Sequence, residues 1–230
     1  MSLITKTFKY LFYAYLASTY KSLPGAYYIR FWFYAIRNIV LPIFTGKQTA
    51  NIKKLQSDKY GVFKHNVLST YCSFFEIDGY LHKSNSTYFE ELDIARTDLM
   101  TKVFQKLFLT SKKWPYIPVA EVSTCFFKDI RPLQPYQVIS NIFCWDKKWI
   151  YVLSKFTVNN GSTVVSLSIT RYVLKDGRKT IRPADALQVC GIYNDEVEQI
   201  SSENLAYMEA NGGFENIQKL IEQNKEYGSL

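Results

Sequence analysis

A chain of 230 residues with 47% apolar side chains is long enough for one ordinary domain and an appendage, and too apolar to be disordered throughout. Its formal charge of +8 is confined to one end. Residues 1–57 hold eight basic side chains (Lys6, Lys9, Lys21, Arg30, Arg37, Lys47, Lys53 and Lys54) and no acid, while the remainder carries 20 basic against 20 acidic residues. That balance excludes a basic nucleic-acid reader for the globular part, so no nucleic-acid partner is expected.

From Leu11 to Phe44 the chain is crowded with Tyr, Phe, Trp, Leu and Ile but interrupted by Lys21, Pro24, Gly25, Arg30 and Arg37. No run reaches the roughly 18 to 20 apolar residues of a spanning helix. The pattern predicts a helix over Ala26 to Pro42 on which Arg30 and Arg37 share a face with Tyr27 and Tyr34, the remaining surface being apolar. A cationic, aromatic amphipath of this kind is expected to lie in a membrane interface, arginine stems reaching the headgroups and rings at the lipid boundary. Two other readings stand beside it: a helix that hides its apolar face on the domain, and a mitochondrial transit peptide, which is also basic and acid-free. The expected location is an intracellular membrane surface, endoplasmic reticulum or mitochondrion.

After a polar connector at Thr45 to Lys59, Tyr71 to Asp78 reads as a strand and Gly79 to Ser86 as a loop. Thr87 to Leu109 reads as one long helix. Thr87 and Glu90 have capping-box spacing, and Tyr88, Leu92, Ala95, Leu99, Val103 and Leu107 form an apolar stripe that must be covered. Four strands follow, at Ile117 to Ile130, Gln137 to Trp145, Trp149 to Val158 and Val164 to Leu174. They are punctuated by Pro132 and Pro135, Asp146-Lys147-Lys148 and Asn159-Asn160-Gly161. A β-α-β-β-β-β order predicts an α+β fold, an antiparallel sheet in which a four-strand meander wraps one central helix. Glu198 to Tyr227 reads as a polar surface appendage. The expected divisions are 1–57, 58–185 and 186–230. Cys72, Cys125, Cys144 and Cys190 have no metal-like spacing to His65 or His82 and are expected to be reduced.

The strand-to-helix junction carries Asp78, His82, Asn85 and Tyr88 in a D-x-x-x-H-x-x-N-x-x-Y arrangement, and Arg131-Pro132-Leu133 follows the next strand. In order and spacing these resemble the motifs of the hotdog-fold 4-hydroxybenzoyl-CoA thioesterase-like family over residues 60–180. The closest likeness is to the membrane-associated branch called thioesterase superfamily member six-like, which shares Leu81 before the histidine, helix text like Glu91-Leu92-Asp93-Ile94-Ala95-Arg96, and a Trp145-Asp146 hairpin. Leu81 stands where the enzymes have glycine, a residue that lets backbone approach substrate closely.

The resemblance implies hydrolysis of an acyl-CoA or related thioester by a homodimer, since relatives build their sites across a subunit interface, and implies no metal or redox cofactor. Asp78 would be the base or nucleophile, His82 would fix the loop or the carboxylate, and Asn85 would position water or the carbonyl. Free N–H groups near Thr87 and Tyr88 would hold the oxyanion, and Lys83 would touch CoA phosphates. Each residue also has a structural role open to it: Asp78 as a cap, His82 as a satisfied structural histidine, Asn85 in a left-handed turn, Tyr88 in the core. The competing functional reading is a catalytically silent hotdog protein that binds acyl chains or lipids, or serves as an interaction module.

Overall fold

The computed structural model describes residues 3–230, so the first two residues of the basic segment lie outside the described residues. In chain order the helices are α1 (Leu3–Thr19), α2 (Ala26–Ala35), α3 (Leu41–Phe44), α4 (Gln48–Gln56), α5 (Asn85–Val103), α6 (Gln105–Thr110), α7 (Pro183–Cys190), α8 (Asp195–Ala210) and α9 (Leu220–Gln223). The strands are β1 (Asn66–Tyr71), β2 (Val119–Phe126), β3 (Pro135–Trp145), β4 (Trp149–Val158), β5 (Thr163–Asp176) and β6 (Lys179–Ile181).

The six strands pair antiparallel, in the order β1-β3-β4-β5-β2, with β6 on β5. The expected stripe on α5 and α6 is buried, from Tyr88 through Leu92, Ala95, Leu99 and Val103 to Leu107, against Val138, Ile142, Val152 and Phe156 of the sheet. A sheet curled around one helix is the hotdog arrangement that the element order implied.

Four local expectations are corrected. The first strand lies earlier, at Asn66–Tyr71, because Phe74–Glu76 is a short 3-10 turn closed by a capping box: the Glu76 carboxylate accepts from Ser73 N–H at 2.6 Å. Thr87 and Glu90 form no such box; Ser84 occupies the cap position of α5, and the Thr87 hydroxyl donates to the Ser84 carbonyl at 2.7 Å. The long helix ends at Val103 and restarts after Phe104. The meander holds for β3, β4 and β5 only, since β2 crosses to the far edge and pairs with β5.

The C-terminal region is a second layer rather than a surface appendage. Met208, Ile217 and Leu220 cover Phe143, Tyr151, Leu153, Leu167 and Ile169 on the sheet face opposite α5. The α8 start is capped by Asn194, whose side chain accepts from Val197 N–H at 3.0 Å, with Asp195, Glu196 and Glu198 at the positive end of the helix dipole.

The N-terminal helix does not hide its apolar face on the domain, the alternative reading of its pattern. A π-helical turn at Ile36–Val40 joins α2 to α3, and the face bearing Tyr27, Arg30 and Tyr34 is the one laid on the domain. Arg30 binds Glu91 of α5 through two hydrogen bonds (2.8 and 2.7 Å), Tyr27 donates to Asp93, and Asn38 donates to Asp98 and Thr101, both at 2.8 Å. The polar face finds carboxylates, so the apolar Tyr28, Ile29, Phe33 and Ile36 are left exposed, as are Leu3, Ile4, Phe8, Leu11 and Phe12 of α1. Among the described residues no helix is long and apolar enough to cross a membrane.

Candidate active site

The loop from Ile77 to Ser84 is pinned on both sides. Ser84 N–H donates to the Glu76 carbonyl (2.7 Å) and Lys83 N–H to the Ile130 carbonyl (2.8 Å), while Leu133 N–H donates to the Cys72 carbonyl (2.7 Å). The two motifs recognised in the sequence are therefore one unit: the Arg131-Pro132-Leu133 turn latches the backbone that carries Asp78 and His82. Within the loop, Asp78 N–H donates to the His82 carbonyl (3.0 Å) and the Asp78 carboxylate accepts from Tyr80 N–H (2.9 Å).

Closing so tight a turn puts Leu81 in the left-handed region (φ 61°), the conformation for which glycine is the usual residue. Its side chain is 70% exposed and projects into solvent, so it does not narrow the approach. Asp78 Oδ1 lies 3.6 Å from His82 Nδ1, both side chains about one third exposed, and the imidazole stacks on Tyr80.

Beside this pair is a cleft of about 120 Å³ lined by His82, Lys83, Asn85, Tyr88, Phe126, Phe127, Lys128 and Asp129. It is thus walled by the start of α5 and the end of β2. Tyr88 is buried, with its ring 4.9 Å from Phe126 and 4.8 Å from Phe156; burial pushes its phenol well above the usual range, so it stays neutral. Thr87 N–H is already given to the Ser84 carbonyl (3.0 Å), and among the described residues nothing accepts from the N–H groups of Asn85 and Ser86.

Lys83 does not face a CoA phosphate. Its ammonium is buried, 2.9 Å from Glu76 and over the rings of Tyr88 and Tyr136. Burial lowers its pKa, against the pull of Glu76 and Glu91. Lys128 lines the cleft as well, and Asp129 is its carboxylate. Both stand between the end of β2 and the Arg-Pro-Leu turn, where polar residues at a strand end were the available signal.

Behind the cleft lies an ionic cluster that the sequence did not reveal. Lys21, from the N-terminal segment, is buried between Glu76 (2.9 Å) and Glu91 (2.8 Å), and Arg30 completes the pairing of Glu91. Burial alone would raise the Glu91 carboxyl, but Lys21 and Arg30 outweigh it and hold the pKa at about 2. Asp93 and Arg96 form the expected pair along the helix, 2.5 Å apart. The four cysteines are free, and three of them are buried.

Comparison with known proteins places the chain in a family. Residues 72–196, which include the Asp78 loop, α5 and the sheet from β2 onward, match the model of the thioesterase-like superfamily. A probable thioesterase of Saccharomyces cerevisiae is 57% identical over 222 residues, 96% of each chain. A probable thioesterase of Emericella nidulans is 29% identical over 80% of this chain and 71% of its own. Among solved structures, a DHNA-CoA thioesterase from Staphylococcus aureus superposes with a TM-score of 0.48 at 15% identity, over 72% of this chain and 99% of that one. The chain belongs to the thioesterase-like superfamily.

Proposed function

We propose that the protein hydrolyses an acyl-CoA or a related acyl thioester at a membrane surface, as a homodimer, with Asp78 as its general base or nucleophile. The observation that carries the reading is that His82 and Asn85 line one cleft at the start of α5, with the Asp78 carboxylate 3.6 Å from the His82 ring. As base, the Asp78 carboxylate takes a proton from water while the water oxygen bonds to the thioester carbon. The carbonyl electrons move onto oxygen and are held by the N–H groups of Asn85 and Ser86 and the positive end of α5. Collapse breaks the C–S bond, and the departing thiolate takes up the proton, giving a carboxylic acid and a free thiol. Asn85, at the mouth, orients the water or the carbonyl.

Dimerisation is supported by β2, an edge strand with no neighbour beyond it in the single chain. Membrane placement is supported by the exposed apolar faces of α1 and α2, which carry Lys6 and Lys9 and lie in a segment with no acid. The reading is tested by thiol release from an acyl-CoA panel. Asp78→Asn should abolish turnover with circular dichroism and dimer mass unchanged, and Asp129→Asn should retain most of it. Turnover indifferent to Asp78 would overturn the assignment of the carboxylate, and turnover absent for every acyl-CoA would favour a silent acyl-binding module.

A further inference from the structure

The two arginines that the sequence places on one helical face part company in the fold. Arg30 is bound to Glu91, whereas Arg37, in the π-helical turn between α2 and α3, lines a cavity of about 290 Å³ at the C-terminal end of α5. Lys54 of α4, Lys64 ahead of β1 and Lys102 of α5 line the same cavity, together with Asn38 and Gln105. Among the described residues no Asp or Glu lines it. A recess walled by charges of one sign concentrates their field and draws in a counter-ion.

Two of the four cations are already committed. The Lys64 ammonium lies 2.7 Å from Asp58, and that of Lys102 lies 3.0 Å from Asp98 and 2.5 Å from the Asn66 side-chain oxygen. The side chains of Arg37 and Lys54 have no ion-pair or hydrogen-bond partner among the described residues, and no ion pair joins them to Leu230, which also borders the cavity. Behind Lys102, the buried side-chain nitrogen of Asn66 likewise lacks an acceptor. The site is rich in donors and short of acceptors.

Two uncommitted cations match a phosphate monoester, which carries about 1.5 to 2 negative charges at neutral pH and offers three acceptor oxygens. A guanidinium clasps two such oxygens in parallel, and an ammonium adds a point charge. The surroundings suit an amphiphile. Ile29, Phe33 and Ile36 recur four and three apart, so an exposed apolar ridge runs along α2 and ends next to Arg37, with Leu41 and Phe44 exposed beyond it. The helix α5 rises about 25 Å from Asn85 at the cleft to Lys102 at the cavity, which separates this cavity from the thioester site within one chain.

We infer that the cavity binds the phosphate monoester headgroup of an anionic lipid, held by Arg37 and Lys54 with Lys64 and Lys102 as supporting charges. The choice of a lipid rests on the membrane placement proposed above; the choice of phosphate rests on the cavity alone.

The test is co-flotation of the full chain with phosphatidylcholine vesicles containing phosphatidic acid. Arg37→Gln with Lys54→Gln removes the uncommitted charge of the cavity, and Lys47→Gln with Lys53→Gln removes the same charge from the same segment outside it. All four side chains are exposed, so neither pair threatens the core. A basic residue near an anionic leaflet strengthens adsorption about fivefold wherever it lies, whereas a charge-assisted hydrogen bond to phosphate adds about tenfold or more. Partitioning should therefore fall at least tenfold further in the cavity pair than in the outer pair. Equal losses would overturn the inference, because the charge would then act diffusely. Calorimetry with dihexanoyl phosphatidic acid, a soluble lipid, and with coenzyme A separates the remaining readings. Saturable binding of the lipid that only the cavity pair abolishes sustains the inference, and if the wild type does not float at all, the same result sustains the lipid site while the membrane placement fails. Flotation with no binding of the soluble lipid overturns the cavity and leaves the membrane placement standing. Coenzyme A bound more tightly than the lipid, and lost in the cavity pair, would give the cavity to the phosphates of the thioester and overturn the lipid assignment.

Discussion

Replacing Glu91 by Gln keeps shape and removes one charge from the buried cluster. Three cations, Lys21, Arg30 and Lys83, face two buried carboxylates, Glu76 and Glu91, and Arg30 also lies 4.0 Å from the partly exposed Glu90. Glu91→Gln leaves three cations against one buried carboxylate and Glu90 at the rim, and an uncompensated buried charge costs about 3 to 5 kcal/mol. That is a large share of the roughly 5 to 15 kcal/mol that holds a domain together. Lys21→Met has the opposite arithmetic. It leaves two cations and two carboxylates, with Arg30–Glu91 and Lys83–Glu76 intact, and should cost about 1 kcal/mol, an ordinary substitution. Urea unfolding followed by circular dichroism and extrapolated to water separates the two. Acid provides a second readout. The Glu91 pKa is depressed from 4.5 to about 2, so its contribution is full above pH 4.5 and is lost as pH falls towards 2. The shift corresponds to about 3 kcal/mol. Glu91→Gln has no such titration, and the gap between wild type and variant should close over that window. A Glu91→Gln cost under 1 kcal/mol, a Lys21→Met cost exceeding it, or a gap that persists to pH 2 would refute the assignment.

Leu81→Gly should raise stability by up to about 1 kcal/mol, the relief of a left-handed Leu less the entropy of a freer unfolded chain, and should keep thiol release; a lower melting temperature would contradict the turn described. Met208→Asp buries a carboxylate with no partner between α8 and the sheet, and should cost about 3 kcal/mol or more in the same unfolding assay. Ile29→Asp with Phe33→Asp should abolish co-flotation with anionic phospholipid vesicles, and wild-type flotation should weaken as salt rises because lysines near a charged leaflet are screened.

The parts legible in the sequence were those set by local periodicity. The Tyr88-to-Leu107 stripe is buried as its spacing requires, and the turns at Asp146 and Asn159-Asn160-Gly161 join β3 to β4 and β4 to β5. Misplacement came where a local device competed with pattern. Phe74-Phe75 looks like strand, but Ser73 and Glu76 close a turn around it. The crossing of β2 to the far edge is a long-range choice with no local mark. At the site, the spacing from Asp78 to Tyr88 located the loop and the helix start, but not that Thr87 N–H is given to the Ser84 carbonyl. The Glu91 cluster was out of reach for the same reason as the β2 crossing. Glu90-Glu91 reads as a solvated pair on a helix surface, and nothing nearby in sequence says that Arg30, 61 positions earlier, will cover one of them.

The buried lysine and arginine also bear on proteolytic processing. A cut anywhere between Lys21 and Ile39 would take Lys21 away from Glu76 and Glu91, and one beyond Ala35 would also remove the buried Ala26 and Ala35. Maturation that removed this stretch would thus leave Glu91 buried without Lys21 and Arg30, while Glu76 kept only Lys83. Any leader compatible with the folded chain must end before Thr19, which is itself buried at the foot of α1. Protease protection across residues 20–40 of the native protein, with α1 alone clipped, is the pattern such a chain would display.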